Sequence, residues 1–237
     1  MCPLFSNLKE ILVLSHFEYT RFQRTYRIKL RENSKGSSMP HYRLTYFQLR
    51  GRAETARYIF AYHGIKYEDN RIEWSDWPNI KPTLTFRQVP ILEVDGVVIN
   101  QSAAIARYLA RETGLAGNTN LEQAQVDAIA DTINDFMNLF PWTEKDQTLK
   151  QKMIEDVFIN NSNLYLDGIE NLLGDKMWFV GDSVTWADFH WAVCSITLTN
   201  LKADVLCSHP KLLSLKERVE ELPSIAIWIK QRPNTVF

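Results

Sequence analysis

The chain has 237 residues, a formal net charge of −1, and 45% hydrophobic and 23% charged residues. A balance so close to neutral gives no electrostatic reason to bind nucleic acid, and no apolar run reaches the about eighteen residues that a membrane span needs. Cys2, Cys194 and Cys207 are odd in number and form no C-x-x-C pair. This sets aside a disulfide scaffold, a zinc site and a dithiol redox centre, and fits a reducing, cytoplasmic compartment.

Residues 1–38 differ from the rest of the chain, with a local charge of +4 against −5 for the remainder. They end in the polar "ENSKGSS" before Met39-Pro40, which reads as a second start. A flexible or alternative-start extension is expected there. The Arg-rich "TRFQRTYRIKLR" also has the composition of a transit peptide, but it lacks an amphipathic period, and acids remain at Glu10, Glu18 and Glu32.

From Tyr42 the pattern becomes regular. Tyr42–Tyr46 is a strand candidate, and Gly51–His63 is helical, with apolar residues at Ala53, Ala56, Ile59 and Phe60 and Gly64 as its stop. Tyr67–Ile72 predicts a second strand. Ile91–Val94 and Val97–Ile99 flank Asp95-Gly96, a hairpin signal. Ser102 opens a helix that runs to Thr113 and closes at Gly114. Beyond "TGLAGNTN" the period is helical from Leu121 to Phe140, and no convincing strand comes after it. Thr185 and Asp188 are spaced as a capping box, with Val184 and Phe189 as its hydrophobic staple. The expected plan is a small α/β domain over 39–116 and an all-helical domain over 121–237.

Three places in the α/β part suggest chemistry. Tyr46 stands at the carboxyl end of a strand, where open α/β sheets place ligands, and Arg52 comes soon after it. A hydroxyl there can donate to an anion that the guanidinium also favours; an amphipathic strand with exposed arginines accounts for the same residues. Val89-Pro90 precedes a strand. A cis peptide would turn Val89 outward to pair with an extended peptide, whereas a trans proline would simply begin the strand. Gln101-Ser102 sits where helix N–H groups attract a carboxylate, or where Ser102 is a plain N-cap. Cys194, in "FHWAVCSITL", reads as a buried thiol.

The order of these features is more specific than any one of them. Together with "YRLTYFQLRGRAE", "RYIFAY", "YEDNRIEWSDWP", "VPILEVDG", "QSAAIARYLA", "LAGNT", "VDAIADTINDFM", "FPWTEK" and "VTWADFHW", it resembles the sigma class of cytosolic glutathione transferases, and within it the members that isomerise prostaglandin H2 to prostaglandin D2. The similarity covers about residues 39–237 and leaves 1–38 unmatched. It implies a thioredoxin-like glutathione-binding domain followed by a helical domain. Tyr46 would hydrogen-bond the glutathione sulfur, with Arg52 tuning it. Val89, with Gln88 beside it, would meet the cysteine moiety. Gln101 and Ser102 would take the γ-glutamyl carboxylate, and Trp77 and Lys81 would flank the glycine end. Asp135 would reach the γ-glutamyl amine of a partner subunit, which implies a homodimer. Phe47, Leu49, Met137, Trp142 and Cys194 would line the space for the lipid or other electrophile.

The resemblance leaves two further readings open: a generalist transferase or lipid-peroxide detoxifier, and a non-catalytic protein of the kind found in lens crystallins. The chain also departs from the pattern. Arg87-Gln88 replaces Gly-Lys, and His190 replaces a tyrosine. Asn134 breaks the acid set Asp131, Asn134, Asp135, so no metal is expected there. The C-terminal "NTVF" differs too, which bears on substrate preference.

Overall fold

The computed structural model describes residues 39–235. The expectations placed on 1–38, Cys2 and the last two residues lie outside the described residues. Four strands, β1 (Tyr42–Phe47), β2 (Glu68–Ile72), β3 (Ile91–Val94) and β4 (Val97–Asn100), form one mixed sheet in the order β2-β1-β3-β4. β1 runs parallel to β2, placing Tyr46 opposite Arg71. β3 is antiparallel to both β1 and β4. The parallel pair requires a crossover, supplied by a 3-10 turn at Gly51–Ala53 and by α1 (Glu54–His63). Leu44 and Leu92 face one another across the β1–β3 register, and both are completely buried.

The short α2 (Trp77–Ile80) lies between β2 and β3, and α3 (Ser102–Thr113) comes after β4. This β-α-β then β-β-α order is the expected thioredoxin-like one. The helical part comprises α4 (Asn120–Asn138), α5 (Gln147–Leu173), α6 (Trp186–Leu201), α7 (Pro210–Glu220) and α8 (Pro223–Gln231). No strand occurs after residue 100 among the described residues. No described helix is long and apolar enough to cross a membrane.

α6 is buried along most of its length. Trp186, Phe189, Trp191 and Leu198 are all fully buried along it, the signature of a central helix. Its start is held by the expected box. Asp188 accepts from the Thr185 N–H at 2.7 Å, the Thr185 hydroxyl at 2.8 Å and the Phe179 N–H at 2.9 Å. Val184 and Phe189, the expected staple, are both buried.

α1 is the seam of the molecule, packing on α3 and also on α6 and α8. It carries a buried ionic network. Arg57 pairs with Glu54 at 3.1 Å and Asp69 at 3.1 Å, and donates to the carbonyls of Leu49 (2.9 Å) and Arg50 (3.3 Å). From α8, Trp228 donates to Glu54 at 2.8 Å, while Arg232, just beyond that helix, pairs with it at 2.7 Å. A buried guanidinium must find such partners, and here they fix the Leu49–Arg50 turn that delivers Arg52.

Element boundaries differ from the sequence reading in ways the backbone explains. β1 extends through Phe47, so Tyr46 is its penultimate residue. The second strand begins at Glu68. The segment after Gly51 opens as a 3-10 turn and becomes α-helical only at Glu54. The helix expected to reach Phe140 stops at Asn138, short of Pro141, whose ring disfavours a helical residue before it. Ser102 is not an N-cap but the first helical residue. The cap position belongs to Gln101, at φ 71°.

Candidate active site

Tyr46 is 8% exposed. Its hydroxyl accepts the Arg52 backbone N–H at 3.3 Å, which leaves its own hydrogen to donate. Burial raises its pKa, against the pull of the Arg52 N–H and of the Arg52 and Arg57 charges. The downward pull that a neighbouring cation exerts is therefore present from Arg52 but is outweighed. The result is a tyrosine kept protonated, and so a donor. Gly51 makes this packing possible. Its φ is +41°, and a Cβ there would lie 2.7 Å from the Tyr46 hydroxyl and 2.6 Å from Leu49 Cδ1.

A cleft of about 350 Å³ gathers Phe47, Arg52, Trp77, Gln88, Val89, Gln101 and Ser102 of the expected residues; Tyr46 is not in its lining but is joined to it through Phe47, the next residue, and Arg52, its hydrogen-bond partner. The Val89–Pro90 peptide is cis, the alternative that turns Val89 toward an incoming chain. At α3 no side chain caps the first N–H groups. With Gln101 and Ser102 on the cleft wall, the positive end of the helix opens into it. Lys81 stands outside the lining, its ammonium 6.0 Å from the Trp77 ring.

The helical part meets the cleft through Arg52, whose guanidinium donates to Asn138 Oδ1 at 2.9 Å. A second bridge runs parallel to it. Thr55 Oγ1 lies 3.0 Å from His190 Nδ1, and His190 Nε2 lies 3.1 Å from Asn134 Oδ1. Residues 52 and 55 are three apart, and 134 and 138 one helical turn apart, so two rungs join the 3-10 turn and the start of α1 to the end of α4. Burial and the Arg52 charge hold His190 down at about 4, so it is neutral at physiological pH.

The remaining expected residues are more dispersed. Trp142 donates to the Met137 carbonyl at 2.7 Å, next to the Asn138 that holds Arg52. Cys194 is 7% exposed, its sulfur 3.7 Å from His190 Nε2. Burial pushes this thiol up to about 12, which keeps it protonated and not a nucleophile. Of the expected residues, Tyr46, Leu49, Asp135, Met137, Trp142 and Cys194 do not line the cleft; Asp135 is exposed on α4. Asp131 is engaged by Arg107 at 3.3 Å.

Several cleft residues escaped the sequence reading: Trp74, Phe86 and Asn100 all line it. Arg87 and Gln88, which stand where the resemblance breaks, both line it as well. Asn138 escaped because an exposed asparagine near a helix end resembles any other. Its signal was position, one turn after Asn134 on the same face.

An uncapped helix end, a strand-entry cis proline and a buried tyrosine donor, set on a thioredoxin-like sheet, define a class of protein. Residues 42–111 match the family model "Glutathione S-transferase, N-terminal domain" and residues 130–232 match "Glutathione S-transferase, C-terminal domain". The chain belongs to the glutathione S-transferase family. It is 63% identical over 199 residues to the hematopoietic prostaglandin D synthase of Gallus gallus, covering 84% of this chain and 100% of that one. It is 54% identical over 197 residues to the Homo sapiens protein of the same name, covering 83% and 99%. Among solved structures, rat hPGDS complexed with a quinoline superposes with a TM-score of 0.81 at 54% identity, over 84% of this chain and 100% of that one.

Proposed function

We propose that the chain uses glutathione to isomerise prostaglandin H2 to prostaglandin D2 and also transfers glutathione to reactive electrophiles. The observation that carries this reading is the Tyr46 hydroxyl, which accepts from Arg52 and is free to donate beside a cleft built for a small peptide acid. The donor set fits glutathione. The open N-terminus of α3 suits one carboxylate, Val89 suits pairing with an extended backbone, and Arg52 and Arg87 supply positive charge.

Bound glutathione supplies a thiolate, the nucleophile that opens the endoperoxide, and is recovered at the end of the cycle. Tyr46 donates its hydrogen to the sulfur and so favours thiolate over thiol. Arg52 holds Tyr46 through its N–H and adds positive charge. Gln101 and Ser102 take the γ-glutamyl carboxylate, Val89 and Gln88 the cysteine moiety, and Trp77 and Lys81 the glycine end. Phe47, Leu49, Met137, Trp142 and Cys194 enclose the lipid. Residues 39–116 form the glutathione-binding domain and 121–237 the helical one. Asp135, exposed on α4, meets the γ-glutamyl amine of a second copy, so the working form is a homodimer, in the cytoplasm.

The test supplies prostaglandin H2 to purified protein with and without glutathione and identifies products by mass spectrometry, beside a Tyr46→Phe variant. Glutathione-dependent prostaglandin D2 is expected. The variant is expected to lose roughly ten- to hundredfold in rate, the worth of one hydrogen bond to a charged group. Conjugation of 1-chloro-2,4-dinitrobenzene without prostaglandin D2 would leave a transferase and remove the isomerase. Inactivity toward both would remove the reading.

A further inference from the structure

A second recess, of about 660 Å³, is lined by residues of α6, of the end of α8 and of the segment that follows it. It shares no lining residue with the cleft at the start of α3. Arg50 lines the recess and Arg52 the cleft, so one turn of chain at Gly51 separates the two. Three cations, Arg50, Lys230 and Arg232, line the recess, and among the described residues no acid does. The acids that act on Arg50 from behind are Glu54 and Glu220, and each is engaged by other cations. Glu54 is held by Arg57 at 3.1 Å and by Arg232 at 2.7 Å, and Glu220 by Lys216 at 2.7 Å. Arg50 is 8% exposed, and burial together with the Arg232 charge pulls its pKa down. The two guanidiniums therefore repel one another, and an anion in the recess would relieve that repulsion. Ile196, Ile229 and Pro233 give the lining an apolar part.

We propose that this recess binds a doubly charged organic phosphate, with its phosphate on Arg50, Lys230 and Arg232 and its organic part against Ile196, Ile229 and Pro233. A phosphate offers three oxygens to the guanidinium forks. Its two charges also answer three cations better than the single charge of a carboxylate. A bare phosphate would leave the apolar lining and most of the volume to water. The inference stands apart from the glutathione reading, because it uses none of the residues assigned to glutathione.

Isothermal titration calorimetry on the full chain tests this with phenyl phosphate, inorganic phosphate and benzoate, at about pH 7.5, where a phosphate monoester is doubly charged. Phenyl phosphate is expected to bind more tightly than either of the others, and to bind equally well when glutathione is present in excess. Lys230→Gln, an exposed position outside the buried network, is expected to weaken phenyl phosphate about two- to fivefold, the worth of one exposed ion pair. Arg50→Gln is expected to weaken it roughly tenfold or more, the worth of a charge-assisted hydrogen bond. If Arg50→Gln does not fold, Lys230→Gln alone decides. Benzoate binding as tightly as phenyl phosphate would overturn the phosphate assignment and give the recess to carboxylates. Loss of phenyl phosphate binding in excess glutathione would place it in the other cleft and overturn the proposal. Binding that is absent, or that neither variant weakens, would overturn it as well.

Discussion

Gly51 is the residue on which the tyrosine geometry turns. It sits at φ +41°, where side chains are strained, and the space a Cβ would need is held by Leu49 Cδ1 and the Tyr46 hydroxyl. Substituting alanine imposes both the backbone cost and a clash, and one of the two groups it meets is the proposed donor. Gly51→Ala is expected to lower stability by about 1–3 kcal/mol. It should also displace the Tyr46 hydroxyl, so that the thiol of bound glutathione, followed by thiolate absorbance against pH, titrates higher than in the unaltered chain. A loss of stability with an unchanged thiol titration would show that the turn is structural only. The glycine was visible in "LRGRAE" but its role was not, because contact with a tyrosine five residues back depends on how the turn folds over.

The two rungs between α1 and α4 belong to the scale of elements. Arg52 reaches Asn138 directly, while Thr55 reaches Asn134 only through the imidazole of α6. Replacing His190 with phenylalanine keeps a ring but leaves Thr55 and Asn134 without their partner. The expected cost is about 1–3 kcal/mol, read as a lower urea midpoint at unchanged slope. A midpoint that does not move would mean that water or neighbouring groups satisfy both polar ends. At this scale the sequence was legible wherever one local signal decides the outcome. Gly64 and Gly114 end their helices in the left-handed region, Asp95-Gly96 turns the hairpin, and Thr185 with Asp188 caps α6. It was not legible where distant parts decide. Gln101 takes the cap position from Ser102 with a positive φ that no side-chain propensity favours. The Arg57–Glu54 pair, spaced like any surface ion pair, is almost wholly buried because α8 closes over it. His190, marked in the sequence only as standing where the pattern has a tyrosine, becomes a bridge only when α1 and α4 both arrive.

For the molecule as a whole, buried titratable groups set the response to acid. His63 and His190 are each held at about 4, well below the ordinary 6.5, because burial disfavours the imidazolium. Between these limits the unfolded chain binds protons that the folded chain refuses, so the stability these residues contribute above pH 6.5 is lost as pH falls toward 4. Asp188 runs the other way. Burial raises its carboxyl from 3.8 to about 6, so over that interval the folded chain holds a proton that the unfolded chain releases, and its contribution declines as pH rises. Two histidines oppose one aspartate across pH 4–6, and above 6 the histidines act alone. Net stability is therefore expected to fall on acidification from pH 6.5 to 4, as a declining Tm in thermal unfolding followed by circular dichroism. His63 lies apart from the proposed site, with its ring edge-on to Tyr62 at 5.0 Å. A His63→Phe variant should flatten the decline by removing one of the two histidine contributions, without altering glutathione binding. A Tm that is flat or rising through this interval would mean that Asp188 outweighs both imidazoles, and that the acid response of the fold is set at the start of α6.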